Sequence, residues 1–200
     1  MKPVIVAFDF DGTITRKDTL LEFIRFSKGS VRLWGTFLFF APLLIAYKLG
    51  FYPNWKVKEK IFTFLYRGMT KVDFNTCCKS FFEAKGRSLI RKDAFEKIRS
   101  LKEQECKMVI VSASIENWLK PFAEYLGINQ VIGTVVEFDR NSRLTGRFLT
   151  ANCYGEEKVN RLLKLFPDRS AYELHAYGDS RGDKELLDLA DCSYYKWFKA

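Results

Sequence analysis

Residues 4–15 have the sequence VIVAFDFDGTIT, and this stretch decides how the chain folds. Its first part is a run of apolar residues, which is typical of a strand buried on both faces of a parallel sheet. The run ends in two aspartates, Asp9 and Asp11, and Gly12 then permits a tight turn. Carboxylates are costly to bury at such a place unless a partner group pairs with them. The stretch therefore predicts a strand with a charged functional site at its carboxyl end.

The composition indicates a globular chain with a strongly basic balance. Of its 200 residues, 48% are hydrophobic and 28% are charged, and the formal net charge is +9. The hydrophobic content argues against disorder, and the positive charge favours an anionic partner. The five cysteines form no C-x-x-C pair, which favours reduced thiols and a cytoplasmic protein. The amino terminus, MKPVIVAFDF, has too short an apolar run to predict a signal peptide.

Further strand patterns follow along the chain, and helical patterns lie between them. Strands are predicted at KMVIVSAS (107–114), ELHAYGDS (173–180) and DCSYY (191–195), and helices at FEKIRSLKEQE, IENWLKPFAEYL and EEKVNRLLKLF. Strands that alternate with helices predict an α/β fold with a doubly wound parallel sheet. Residues 131–148, VIGTVVEFDRNSRLTGRF, contain two β-rich pieces around a polar turn, which predicts a hairpin.

Residues 16–85 interrupt this alternation. They are rich in phenylalanine and helical in pattern, without a strand between the helices. Asp18 suits the N-cap of the first helix, and Glu22 would lie in its first turn. We therefore predict a core domain of residues 1–15 and 86–200, and a helical cap of residues 16–85 inserted after the first strand.

The other polar signals lie near strand ends or helix starts: Ser112, Lys158, Asp179, Asp183. Because ligands of open α/β sheets bind beyond the carboxyl ends of the strands, we expect these residues to converge with the two aspartates of the first strand. Clustered carboxylates repel one another, and Mg²⁺ relieves that repulsion while it keeps positions for water and phosphate. A lysine and a hydroxyl would bind the phosphate. One aspartate of a pair could then attack phosphorus while the other handles protons.

Four motifs give this arrangement a family resemblance. In chain order they are DFDGT, VIVS, the lysine of GEEKV, and GDSRGD, and they span Asp9 to Asp183. They resemble the motifs of the haloacid dehalogenase superfamily. The details VSAS, TVVEF…LTG and CYGEEKV resemble its phosphoserine-phosphatase-like branch, subfamily IB. The resemblance implies a Rossmann-like core with a helical cap inserted directly after the first motif, which agrees with the cap expected for residues 16–85.

The resemblance also implies the catalytic roles. Asp9 would be the nucleophile that forms an aspartyl-phosphate, and Asp11 would protonate the leaving alcohol and then activate water. Asp9, the backbone carbonyl of Asp11, and Asp179 would hold Mg²⁺. A dehalogenase reaction is disfavoured, because halide displacement needs neither Mg²⁺ nor the second aspartate.

The same resemblance implies the supporting roles. Ser112 and Lys158 would bind the phosphoryl oxygens, and Asp183 would ligate through water or orient Lys158. Phosphoserine phosphatases carry a glutamate that recognises the substrate amine where this chain has Asp18. Asp18 is therefore a candidate substrate contact from the cap as well as a helix cap, and phosphoserine specificity is in doubt.

These observations predict a Mg²⁺-dependent phosphatase that acts on a small phosphorylated metabolite. A phosphatase of a lipid phosphomonoester, such as phosphatidylglycerophosphate at the membrane surface, is the alternative substrate class. A phosphomutase on the same fold and a non-catalytic phosphoacceptor or anion-binding module stay open. Nucleic-acid binding is not predicted, because the basic residues are spread along the chain and no recognition motif occurs. The sequence does not define the oligomeric state.

The apolar run of residues 33–47, LWGTFLFFAPLLIAY, leaves another alternative open. It carries no charge, it falls short of the ~20 residues of a spanning helix, and Pro42 would kink it. It would be either a buried cap helix that closes over the active site or an apolar surface in a membrane interface. In the second case the flanking aromatic and basic residues would lie at the level of the lipid headgroups: Arg32, Lys48, Trp55, Lys56, Lys58, Lys60.

Overall fold

A five-stranded parallel sheet forms the centre of the computed structural model, which describes residues 2–198. In chain order the strands are β1 (Val4–Phe8), β2 (Lys107–Ile115), β3 (Gln130–Thr134), β4 (Val136–Phe138), β5 (Leu144–Phe148), β6 (Glu173–Gly178) and β7 (Cys192–Tyr195). The order in the sheet is β3-β2-β1-β6-β7, and β4 and β5 form a separate antiparallel pair. The predicted α/β fold with a parallel sheet is confirmed.

Side chains along β1 alternate between two apolar layers. Val6 and Phe8 belong to the cluster on one face of the sheet, and Ile5 and Ala7 belong to the cluster on the other. This arrangement follows from the period of two along a strand. The continuous apolar run is therefore a strand buried on both faces, and it pairs with β2 on one side and β6 on the other.

Helices connect these strands and cover both faces of the sheet. In chain order they are α1 (Thr19–Lys28), α2 (Ser30–Phe39), α3 (Ala41–Lys48), α4 (Asn54–Tyr66), α5 (Lys71–Phe81), a π-helical turn (Phe82–Gly86), α6 (Arg87–Leu89), α7 (Lys92–Glu103), α8 (Glu116–Leu126), α9 (Glu156–Leu165), two 3₁₀ turns (Arg169–Ala171 and Arg181–Asp183) and α10 (Lys184–Leu189). The three helical patterns of the core domain correspond to α7, α8 and α9. Each of these three helices has an apolar stripe that is buried in one of the two apolar clusters.

The segment 131–148 divides differently from the prediction. β3 pairs in parallel with β2, and only Val136–Phe148 form the hairpin of β4 and β5. The predicted hairpin is therefore confirmed in its second part and wrong in its first. Both parts are β-rich and only Val135 separates them, so the residue pattern contains no signal that the chain leaves the main sheet at this point.

Helices α1, α4 and α5 pack against the core through one aromatic cluster. Phe23 of α1 stacks on Trp118 of α8 with a ring-centroid distance of 4.9 Å, and both side chains are fully buried. Phe23 also contacts Phe74 and Phe81 edge-on. This continuous cluster fixes the helices over the carboxyl edge of the sheet. The division into a core of 1–15 and 86–200 and a cap of 16–85 stays a prediction.

The α2–α3 pair contains the apolar run. The chain bends by 63° between the two helices, and Pro42 lies in the first turn of α3, as its restricted backbone favours. Within residues 2–198 no single helix is long and apolar enough to span a membrane. Among the described helices, only the bent pair of α2 and α3 has that length and composition when the two are taken together.

Candidate active site

The turn after β1 positions the first two carboxylates. The backbone N–H of Asp9 donates to the carbonyl of Tyr177 at 2.8 Å, which continues the β1–β6 ladder by one residue. Gly12 then adopts φ +88°, a conformation that glycine adopts without strain. A Cβ at this position would lie 2.2 Å from Oδ2 of Asp179. Glycine therefore allows the turn to come directly against the carboxylate at the end of β6.

Lys158 lies between two buried carboxylates. Its Nζ donates to Oδ1 of Asp9 and to Oδ1 of Asp183, both at 2.5 Å, and only 2% of its side chain is exposed. Burial disfavours the ammonium form, but Asp9 and Asp183 outweigh burial and raise the pKa of Lys158. Lys158 lies in the first turn of α9, which begins directly after Gly155. The lysine is a fixed positive charge beside the carboxylate of Asp9.

Asp183 holds this lysine and the turn after β6. Its Oδ2 accepts hydrogen bonds from the backbone N–H of Ser180 at 2.9 Å, the Ser180 hydroxyl at 2.7 Å and the backbone N–H of Asp179 at 3.2 Å. Burial acts to raise the pKa of Asp183, but Lys158 and Ser180 outweigh burial and lower it. Asp183 is therefore an ionised, fully buried acid that positions Lys158.

The carboxylates of this site suit a divalent cation. Oxygen atoms of Asp9, Asp179 and Asp183 lie within 4.8 Å of one another. Oδ1 of Asp179 is buried and has no hydrogen-bond partner among the described residues. Burial raises the pKa of Asp9 to about 7, and it also raises the pKa of Asp179, with Asp183 adding to both shifts. The ionised forms of Asp9 and Asp179 are therefore destabilised in the absence of a cation. Carboxylate oxygens of this kind are ligands that Mg²⁺ prefers.

Asp11 lines the same cavity as Asp9 and is held by hydroxyl and backbone donors. Its Oδ1 accepts from the backbone N–H of Thr19 at 2.7 Å and from the Thr19 hydroxyl at 2.6 Å, and its Oδ2 accepts from the Ser114 hydroxyl. Burial and the nearby Asp18 raise the pKa of Asp11, against the effect of these hydrogen bonds. A carboxyl group with a raised pKa in a fixed position can donate and later accept a proton.

Strand β2 contributes two serines to the same cavity. Ser112 and Ser114 are both buried, and the backbone N–H of Ser114 donates to the Ser112 hydroxyl at 3.1 Å. The sequence analysis included Ser112 but missed Ser114 and Thr19, which hold Asp11. The signal for Ser114 was present, because residues two apart on a strand share a face. Thr19 gives no comparable signal, since its role depends on where α1 begins.

Lys58 is a second cation that the sequence analysis did not place here. It extends from α4 into the cavity, and its Nζ donates to the carbonyl of Ala113 at 2.5 Å. Burial lowers the pKa of Lys58, while Asp11 and Asp18 oppose that shift. The expectation that Lys58 lies at a membrane surface beside Trp55 is therefore wrong. The segment NWKVKEK is a helix, and its inner face directs this one lysine towards the site.

The cavity has a volume of about 290 Å³ and two unlike walls. Asp9, Ser112 and Lys158 lie on the side of the sheet. Asp18 reaches the cavity from the amino end of α1, where it also caps the helix by accepting from the backbone N–H of Leu21 at 3.1 Å. The opposite wall is apolar and comes from α1 to α4: Leu20, Leu21, Ile24, Phe37, Leu44, Val57, Ile61.

The seven predicted site residues thus converge beyond the carboxyl edge of the sheet, and all of them lie between Asp9 and Asp183 in the sequence. The family model described as haloacid dehalogenase-like hydrolase matches residues 6–188, which includes all of these positions. The chain belongs to this family. The family resemblance stated from the motifs is therefore confirmed.

Two known proteins are similar to this chain in sequence. Protein CicA of Caulobacter vibrioides is 37% identical over 199 residues, which cover 99% of this chain and 88% of that protein. Histidinol-phosphatase of Neisseria meningitidis serogroup C is 29% identical over 86 residues, or 40% of this chain and 39% of that protein.

Two solved structures illustrate the fold. A protein with unknown function from Bordetella pertussis Tohama I has a TM-score of 0.83 at 20% identity, with 96% of this chain and 89% of that chain covered. A substrate-bound phosphoserine phosphatase has a TM-score of 0.64 at 17% identity, with 98% of this chain and 86% of that chain covered. These likenesses confirm a phosphoserine-phosphatase-like fold.

Proposed function

We propose that this chain is a Mg²⁺-dependent phosphomonoester hydrolase that forms an aspartyl-phosphate on Asp9. The observation that carries the proposal is the pairing of Asp9 with Lys158, beside the unpartnered carboxylate oxygen of Asp179. A buried carboxylate held against a cation, beside a further carboxylate oxygen, suits attack on a phosphoryl group that arrives with its own negative charge.

In the first step, an oxygen of Asp9 attacks phosphorus and the bond from phosphorus to the ester oxygen breaks. The departing alkoxide takes a proton from Asp11, whose pKa is raised by burial and by the nearby Asp18. Lys158 and the Ser112 hydroxyl bind the phosphoryl oxygens and stabilise the charge that develops on them. Mg²⁺, held by Asp9, Asp179 and the backbone carbonyl of Asp11, would supply further positive charge to the phosphoryl oxygens when bound.

In the second step, water attacks the phosphorus of the aspartyl-phosphate and the bond to Asp9 breaks. Asp11, now ionised, accepts the proton of the water, and inorganic phosphate and the carboxylate of Asp9 are released. Thr19 and Ser114 keep Asp11 in one orientation through both steps. Asp183 acts through Lys158 and has no direct role in either proton transfer.

The cavity supports two substrate classes. A small phosphorylated metabolite with charged groups would meet Lys58 and Asp18, which line the cavity on the cap side. A lipid phosphomonoester would meet the apolar wall, to which Phe37 and Leu44 of α2 and α3 contribute. The second candidate is favoured by the extent of this apolar surface, to which seven side chains from α1 to α4 contribute.

A phosphomonoester panel tests the proposal. Aryl phosphate, soluble metabolite phosphates and lipid phosphates would be assayed with Mg²⁺ and with a chelator, and phosphate release is expected only with Mg²⁺. Asp9→Asn should abolish turnover, because an amide is a poor nucleophile. Asp188→Asn is the matched control, since Asp188 is exposed and pairs with Lys184 on the surface of α10. Retention of more than a few per cent of activity by Asp9→Asn would overturn the nucleophilic role.

A further inference from the structure

The outer surface of α2, α3 and the turn that follows is apolar and exposed. Val31 is 90% exposed and Leu38 is 78% exposed, and Trp34 lies between them on the same side of α2. We call this surface the α2–α3 face; its exposed apolar residues are Val31, Trp34, Leu38, Phe39, Ile45, Leu49 and Phe51. Monomeric proteins rarely expose contiguous apolar patches of this kind unless the patch has a partner.

The sequence of the two helices indicates what surrounds them. Helix α2 is apolar on its exposed side as well as on the side where Leu33 is buried. Helix α3 has no fully buried side chain, although it has no charged residue before Lys48. A helix that is apolar all round is normally buried in protein or in lipid. The protein core covers only the inner side, so a further apolar environment is needed on the outer side.

The charge around this face selects the partner. From Glu22 to Glu59 the chain has no acidic residue in between, and it has six basic residues: Arg25, Lys28, Arg32, Lys48, Lys56, Lys58. Except for Lys58, which faces the cavity, and Arg25, which pairs with Glu22, these cations flank the apolar run along the chain. Trp34, Trp55 and Tyr47 are partly exposed there too, and such amphipathic rings favour the boundary between lipid and water. A second copy of this chain would place like charges against one another.

We propose that the α2–α3 face docks in the interface of an anionic lipid bilayer, with both helices lying in the plane of the membrane. Their ten and eight residues give lengths of about 15 Å and 12 Å, each well short of the ~30 Å hydrocarbon core. The 63° bend between them also suits two short helices that lie at the membrane surface better than one straight helix that crosses the bilayer. Basic residues at the rim would contact the headgroups.

Docking in this orientation brings the catalytic cavity to the membrane. Phe37 and Leu44, on the inner side of the same two helices, line that cavity. The active site would therefore open beside the headgroups, where a lipid phosphomonoester would be available. Docking itself needs no catalysis, so it can be tested separately from the proposed phosphatase activity.

Co-sedimentation of the full chain with vesicles tests the inference. The probes are vesicles of phosphatidylcholine alone and of phosphatidylcholine with phosphatidylglycerol, each at low and high salt. We expect binding to the anionic vesicles at low salt and weaker binding at high salt, because salt screens the basic rim. The double variant Trp34→Glu/Leu38→Glu should lower the partition coefficient by more than about tenfold.

The control is Val72→Glu, because Val72 is 74% exposed on α5, outside the face. Its binding should equal that of the unmodified chain. Hydrolysis of a soluble aryl phosphate without vesicles, together with the thermal midpoint, shows that each variant is folded. Absence of binding to anionic vesicles at low salt, or equal binding by the double variant, overturns the inference. It is also overturned if sedimentation velocity without lipid shows a dimer that Leu38→Glu dissociates. Vesicle binding without any phosphatase activity would refute the proposed function and leave the docking surface standing.

Discussion

Lys158→Met gives the most informative single perturbation, because the lysine has two separable effects. Methionine keeps most of the side-chain volume and removes the charge, which leaves Asp9 and Asp183 buried without their counter-charge. Loss of one charged contact to a developing oxyanion costs roughly 2.7–4 kcal/mol, or about 10²–10³ in rate. Removing one partner of a buried ion pair costs about 3–5 kcal/mol of folding stability. We expect both losses in the same variant.

The pH dependence separates the stability effect from simple loss of packing. Without Lys158, the pKa of Asp9, which burial already raises to about 7, should rise further, and the pKa of Asp183 should rise above its unfolded value. A carboxyl group whose pKa is higher in the folded state destabilises the fold as pH rises from its unfolded pKa to its folded pKa. In that pH range the folded state binds more protons than the unfolded state. The stability difference from the unmodified chain should therefore shrink as pH falls from about 8 to about 5.

The assay combines kcat/KM for an aryl phosphate in saturating Mg²⁺ with urea unfolding in chelator at several pH values. Lys164→Met is the matched control, because Lys164 lies on the same helix and is exposed. That change should alter stability by no more than about 0.5 kcal/mol. A loss of activity below about threefold in Lys158→Met, with unchanged stability, would refute the reasoning.

Three further predictions follow from the site. Asp11→Asn should slow hydrolysis of the phosphoenzyme more than its formation from an activated aryl phosphate, so quenched reactions should contain protein-bound phosphate; an unchanged steady-state rate would contradict the base role. Gly12→Ala should weaken Mg²⁺ binding, because its Cβ would meet Asp179. Gly68→Ala has a similar φ of +85° with open space around it, so it should lower stability alone; equal Mg²⁺ titrations of the two variants would argue against the close contact. Thermal stabilisation by Mg²⁺ should be large at a pH of about 8 and weak at about 5.5, because the proton competes for Asp9, whose pKa is raised to about 7; a pH-independent shift would exclude these carboxylates as ligands.

The sequence was sufficient for the parts of the fold that depend on local pattern. The apolar run before Asp9 has no alternation, and only a strand covered on both faces explains it. Once the sheet was parallel, the polar residues after each strand had to meet at one edge. This is why Ser112 and Asp179 could be placed with Asp9 without any structure.

Other features depend on contacts between distant segments. The place of Lys58 depends on how α4 lies over the sheet, and its sequence context is an ordinary basic helix. The pairing of Lys158 with Asp183 joins residues 25 positions apart through the approach of α9 to the turn after β6. The apolar run 33–47 was compatible with burial or exposure, because composition does not tell which side of a helix the core covers. The structure buries Leu33 and leaves Leu38 exposed, so the alternative of a buried cap helix describes the inner side of α2 and not its outer side.

Borohydride trapping during turnover tests the central claim most directly. Borohydride reduces an aspartyl-phosphate to homoserine, and mass spectrometry of the digested chain locates the converted residue. With aryl phosphate and Mg²⁺ we predict homoserine at position 9, more of it in Asp11→Asn, and none without substrate. Conversion at a different aspartate, or steady turnover with no homoserine in either the unmodified chain or Asp11→Asn, would contradict the proposal that Asp9 carries the phosphoryl group.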